Sequence, residues 1–174
     1  MSNSKNIIWL ASYPKSGNTW FRVFLSNLFE DGEHPADINN LHETPIASAR
    51  QPFDEATGLP SSDMTFEEVD RLRPEVYRQQ AREAGDILFR KVHDAYTYLD
   101  DGSPLFPPDV SRAAIYFIRN PLDVLISFAH HSATEPAKMV EVLNDPEKAF
   151  GRSPEKLFNQ LRQKLSSWSG HVTS

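Results

Sequence analysis

IIWLASYPKSGNTW, residues 7–20, decides the architecture of this 174-residue chain. Its first five residues are continuously apolar, the pattern of a strand buried on both faces. Residues 19–29, TWFRVFLSNLF, then set Trp20, Phe24 and Leu28 at steps of four with Phe21 and Leu25 beside them, which is helical spacing. Between strand and helix stand Pro14, Lys15, Ser16, Gly17, Asn18 and Thr19. A plain turn needs a glycine or a proline; it has no use for a lysine and two hydroxyls as well. A loop of this composition at a helix N-terminus offers an anion its backbone N–H groups and the positive end of the helix dipole. Gly17 permits close backbone approach, Ser16 and Thr19 can donate hydroxyl hydrogen bonds, and Lys15 supplies charge. On these residues alone, an ordinary strand-to-helix turn with a surface lysine remains an open alternative. The lysine precedes the loop's one glycine, so the spacing is not G-x-x-x-x-G-K-[ST], and a Walker-type magnesium–nucleotide site is not indicated.

Working outward, residues 86–92 (DILFRKV) read as a second strand that leads to His93. Residues 113–118 (AAIYFI) read as a third, followed at once by Arg119-Asn120-Pro121. Asn120 caps a helix that has Pro121 in its first turn and runs to about His131. Thr65 and Glu68 have the spacing of a capping box, predicting a helix over 65–72. Pro74 opens a further helix that ends at about Ala84, before Gly85. Residues 31–63, polar and broken by Pro35, Pro45, Pro52, Gly58 and Pro60, read as a long irregular connection. A helix over 135–143 follows. A last one is expected from Ser153-Pro154-Glu155, with Leu157, Leu161, Leu165 and Trp168 on one face. Strands separated by helices and long connections predict an α/β fold, a parallel sheet flanked by helices. Right-handed crossovers then bring the strand ends to one edge, where such sheets bind ligands.

That edge collects the candidate chemistry. The second strand delivers Arg90, Lys91 and His93, and a histidine with a pKa near working pH suits a general base. A histidine that is only exposed or hydrogen-bonded is the competing reading. The third strand ends in Arg119, with Ser127 two turns into the next helix; an arginine there holds a phosphate bidentately or pairs with Asp123. His34, His42, His130, His131 and His171 show no metal-ligand pattern, so no metal is expected. Each segment is ambiguous alone. Their succession on three strand ends is the stronger observation.

Composition narrows the classes. A formal charge of −6 argues against a nucleic-acid footprint, and a phosphate site would have to be local. The chain has no cysteine, which excludes disulfides and thiolate metal sites and fits a cytoplasmic enzyme. No run of 18 apolar residues predicts a membrane span.

With these motifs in hand, the chain resembles the PAPS-dependent sulfotransferases (PAPS is 3′-phosphoadenosine 5′-phosphosulfate). YPKSGNTW resembles the family's 5′-phosphosulfate loop, usually YPKSGTTW. IRNPLDVLISFAHH, from Ile118, resembles its 3′-phosphate segment RNPxDVxxSxxxH. FRKVH, ending at His93, resembles the strand end that carries the family's catalytic histidine, usually KTH. The resemblance covers most of the chain and is weakest over 31–85. It implies a P-loop-containing nucleoside triphosphate hydrolase-like sulfotransferase fold over one domain, 1–174, incomplete at the C-terminus. In that reading Lys15, Ser16, Gly17, Asn18, Thr19 and Trp20 hold the 5′-phosphosulfate, and Arg119 and Ser127 hold the 3′-phosphate. His93 deprotonates a small-molecule hydroxyl acceptor, Lys15 neutralises the leaving phosphate oxygen and Lys91 assists. PAPS is the sulfuryl donor and 3′,5′-ADP the product, without a metal. Asn18 stands where Thr is usual and Leu122 where Lys is common. A later G-x-x-G-x-W-K-like segment has no counterpart, which leaves a catalytically silent nucleotide-binding fragment as the alternative. That alternative expects the apolar face of the last helix to be exposed.

Overall fold

The structure is a computed structural model that describes residues 5–29, 34–39, 41, 44–153 and 157–174. Strand β1 (Ile7–Ser12) lies in the middle of a three-stranded sheet, with β2 (Leu88–Val92) on one side and β3 (Ser111–Phe117) on the other. Both pairings are parallel, Ala11 lying beside Val92 and beside Tyr116. The three strands therefore end together, as the crossover argument requires. A central strand flanked on both sides must be apolar throughout, which is why Ile7 and Leu10 have no accessible surface.

Alternation along β1 sorts its side chains between two layers. Ile7 and Trp9 enter a cluster with Tyr77, Ala81, Val92, Leu105 and Phe106. Trp9 meets Tyr77 edge-on at 5.2 Å, so helix α3 (Phe66–Ala84) covers that face. Helix α1 (Asn18–Phe29) covers the other, with Phe21 4.8 Å from Phe117 and Phe29 5.7 Å from Phe89.

The apolar residues of α1 are more numerous than its buried face can hold. Trp20, Phe24 and Leu28 face outward, while Leu25 is buried and Phe21 meets the sheet. Rotation of the helix is set at its first residue: the Asn18 side-chain amide donates to the Leu10 carbonyl at 2.8 Å and to Ser12 Oγ at 3.2 Å. Asn18, Phe21 and Leu25 then share the sheet-facing side, because their spacings of three and four residues align on a helix.

Three expectations need correction. Helix α3 runs unbroken through Pro74, which was expected to start a new helix. Pro74 brings no N–H to the helical ladder, yet Val69, Arg73, Val76, Tyr77 and Ala81 are buried on both sides of it and hold one axis. Within the stretch read as irregular, Arg50–Thr57 forms α2, with Pro52 in its first turn and Phe53 buried. The expected last helix is absent. Its first residues, 154–156, lie outside the described ones, and residues 157–165 form no helix and carry the short strand β5 (Gln163–Lys164) that pairs antiparallel with β4 (Ala149–Phe150). Leu161, Gln163 and Leu165 are buried while Arg162 and Lys164 between them are less so. Leu161 joins Phe53, Val69 and Val76, and Leu165 joins Tyr13, Phe128 and Met139, so neither is exposed. Helix α4 (Pro121–His131) begins at Asn120, whose side chain accepts from Leu122 N at 2.9 Å. Helices α5 (Pro136–Asn144) and α6 (Trp168–Thr173) complete the fold. Among the described residues, no helix is long and apolar enough to cross a membrane.

Candidate active site at the strand ends

The residues that follow β1, β2 and β3 line one cleft of about 430 Å³. Lys15, Gly17, Asn18 and Thr19 come from the first loop, Lys91 and His93 from the second strand end, and Arg119 and Ser127 from the third and its helix. Lys91 and His93 point the same way because they are two residues apart in extended chain. Arg90 alternates to the other side, where its Nε donates to Gln80 on α3 at 3.2 Å. Two of the expected residues do not line the cleft. Ser16 is buried within the loop, and the Trp20 indole, 74% exposed, stacks on Phe24 at 6.3 Å.

The loop is shaped for backbone presentation. Gly17 has φ +99°, where a side chain is strained, and Lys15 itself sits at φ +68°. A left-handed lysine is uncommon outside sites that use the conformation. The side-chain N–H groups of Asn18 are committed to Leu10 and Ser12 and its Oδ1 is buried without a partner among the described residues, so what the residue offers an anion is its backbone N–H. Arg119 donates through one η nitrogen to the Lys15 carbonyl at 3.2 Å and is only loosely placed against Asp123, at 3.8 Å. The third strand end is thereby tied to the first.

His93 is oriented through a main-chain atom. Its Nδ1 lies 2.8 Å from the carbonyl oxygen of Ser12. A carbonyl only accepts, so Nδ1 carries the proton and Nε2 keeps the lone pair. Burial, with help from the charge on Lys91, pushes the imidazole down to about 3, well under the expected neighbourhood of working pH. The ring is thus neutral at any ordinary pH, which keeps the Nε2 lone pair free, and the same shift makes it a weaker base than a free imidazole. Burial, Arg22 and Lys15 together push Lys91 down to about 8.

Several residues at the site were not anticipated. Arg22, one turn into α1, donates to Thr44 Oγ1 at 2.8 Å and adds a fourth cation beside Lys15, Lys91 and Arg119. Its position, four residues after Asn18 on a helix, could have revealed it. Phe128, His131, Phe150 and Gln160 also line the cleft. Phe150 and Gln160 arrive from regions far along the chain, and no local pattern marks them. Three cations, a helix N-terminus and a neutral histidine lining one cleft, with the charge of Arg22 acting on Lys91, can bind a multiply charged anion and offer a proton acceptor to a neighbouring hydroxyl.

A family model described as "Sulfotransferase domain" matches residues 5–174. No curated protein matches the chain.

Proposed function

Because the chain belongs to the sulfotransferase domain family, we propose that it transfers a sulfuryl group from PAPS to the hydroxyl of a small-molecule acceptor. The observation that carries this reading is the hydrogen bond from His93 Nδ1 to Ser12 O, which leaves Nε2 basic on a side chain that lines the same cleft as Lys15 and Arg119. The loop fits the donor in one visible respect. Lys15 and Gly17 hold left-handed backbone at the N-terminus of α1 and line the cleft with Thr19, the presentation an anionic oxygen needs, while Ser16 Oγ, buried within the loop, has no hydrogen-bond partner among the described residues.

PAPS supplies an activated sulfuryl group on a phosphate leaving oxygen. The backbone N–H groups of residues 16–19, with Lys15 and Thr19, would hold its 5′-phosphosulfate. Arg119 and Ser127 would hold the 3′-phosphate, and Trp20 stands at the rim rather than in the cleft. His93 Nε2 takes the proton of the acceptor hydroxyl. The Lys15 ammonium, at the positive end of α1, stabilises negative charge on the leaving oxygen, and Lys91 adds to the same field. Catalysis here is mainly placement and electrostatics, as in phosphoryl transfer.

The test is incubation of the purified chain with sulfur-labelled PAPS and a panel of alcohols, phenols and sugars, beside His93→Ala. Labelled product from the parent and none from the variant is expected. No product from either would overturn the reading.

A further inference from the structure

The peptide of His93 is held from behind by a second histidine. His171, on α6, is 1% exposed, and its Nε2 lies 3.1 Å from the main-chain oxygen of His93. Its Nδ1 lies 2.7 Å from the hydroxyl of Tyr116 on β3. The protons follow from the partners. The His93 carbonyl accepts only, so His171 Nε2 donates; a neutral ring then has a lone pair on Nδ1, and Tyr116 donates to it. Tyr13 packs edge-on against the His171 ring, 5.4 Å between centroids and 83° between planes, which limits its rotation.

We propose that His171 is a positioning residue for His93, with Tyr116 holding His171 in the tautomer that can do so. The proposal rests on the reading of His93 as the general base. His93 makes two main-chain contacts in opposite senses: it donates from Nδ1 to Ser12 and accepts at its own carbonyl from His171. The first sets which ring nitrogen is basic. The second fixes the peptide plane from which the ring projects, and therefore where Nε2 arrives in the cleft. Displacement of a catalytic group by about 1 Å costs on the order of a hundredfold in rate, so a peptide free to rotate would lower turnover without touching the binding groups. His171 reaches neither the loop of residues 15–19 nor Arg119, and it does not line the cleft.

The experiment uses the full chain in four forms: parent, His171→Ala, His171→Gln and Tyr116→Phe. Two readouts are taken, steady-state kinetics with PAPS and ¹⁵N spectra of the labelled histidines. For His171→Ala the expectation is a kcat lower by roughly 10- to 100-fold with KM values within about threefold, and a His93 ¹⁵N pattern showing mixed tautomers instead of one. His171→Gln returns an N–H donor and is expected to recover most of the rate and the single-tautomer pattern. Tyr116→Phe removes one neutral hydrogen bond and is expected to cost roughly two- to tenfold in kcat. A parental rate and a parental His93 pattern in His171→Ala would overturn the proposal while leaving the function intact. If the parent itself transfers no sulfuryl group, the functional reading fails, and the His93 pattern alone then decides the positioning role. If His171→Ala does not fold, Tyr116→Phe decides: an unchanged rate and pattern there would overturn the proposal.

Discussion

Two guanidinium nitrogens of Arg73 meet the two carboxylate oxygens of Asp94 at 2.7 and 3.1 Å, and Asp94 is the residue that follows His93. Both side chains are 1% exposed. Asp94 Oδ1 also accepts from Lys164 N at 3.0 Å, and Arg73 also donates to the Tyr77 hydroxyl and the Arg162 carbonyl. The pair therefore joins α3, the end of β2 and the segment around β5. Removing one member of a buried pair leaves the other as an uncompensated charge. Arg73→Met and Asp94→Leu should each destabilise the fold by about 3–5 kcal/mol, and the double variant by less than their sum. Urea unfolding of the three variants measures this, and strict additivity would show that the two groups do not act as a pair.

Arg119 should discriminate between nucleotides. A charge-assisted hydrogen bond is worth about 1.5–3 kcal/mol, so Arg119→Ala is expected to weaken 3′,5′-ADP binding by roughly 10- to 100-fold. Binding of 5′-AMP, which lacks the 3′-phosphate, should change far less. Calorimetric titration of both ligands checks it; equal losses would remove Arg119 from the 3′-phosphate.

The pH dependence carries two signatures. With His93 pushed down to about 3 and Lys91 to about 8, kcat/KM should be flat from about pH 5 to 7 and fall on the alkaline side near pH 8. Lys91→Arg should carry that alkaline limb upward, since a guanidinium stays charged. An acid limb near pH 6.5 would contradict the environment described for His93. The same shift acts on stability. Between about 3 and the ordinary 6.5 the unfolded chain binds the proton that folded His93 refuses. The contribution is therefore full above about pH 6.5 and is lost as pH falls toward 3, at no more than ~1.4 kcal/mol per pH unit. Denaturant titrations from pH 4 to 7 should show this slope, reduced in His93→Gln.

The leucines of the C-terminal segment should respond unequally. Leu161 and Leu165, 2% and 0% exposed, are expected to cost about 2–5 kcal/mol each on change to Ala. Leu157, 73% exposed, should shift stability by no more than about 0.5 kcal/mol. Equal effects at all three positions in thermal and urea unfolding would revive a helix with one apolar face.

What the sequence makes legible here is local. Residues 7–20 announce a strand, a tight loop and a helix because each of those is set by neighbours within a few positions. The ends of β2 and β3 are readable for the same reason, apolar runs stopping at His93 and Arg119. The misreading at the C-terminus has a simple cause. A spacing of four residues is close to one helical turn, but it is also two full periods of a strand, so Leu157, Leu161 and Leu165 fit both. Burial of Gln163 between Leu161 and Leu165 separates the two cases, and burial is a property of the folded chain. Helix α2 was hidden because Pro52 reads as a breaker until it is seen to occupy a first turn. Of the site, the three strand-end motifs are written in sequence order. The contact of Arg22 with Thr44 and that of His171 with His93 are not, since each depends on how distant segments pack.

The atom that decides which nitrogen of His93 is basic is the carbonyl oxygen of Ser12, and it belongs to no side chain. Every amino acid placed at position 12 would present the same oxygen. A substitution survey of the protein would consequently pass over the group that fixes the tautomer of His93, and would register only the Ser12 hydroxyl, through its bond from Asn18 and its place 3.4 Å from His93 Nδ1. Heredity can vary the residue at 12 for its bulk or its polarity while the instruction it gives to His93 is transmitted unchanged, for as long as the strand holds its path.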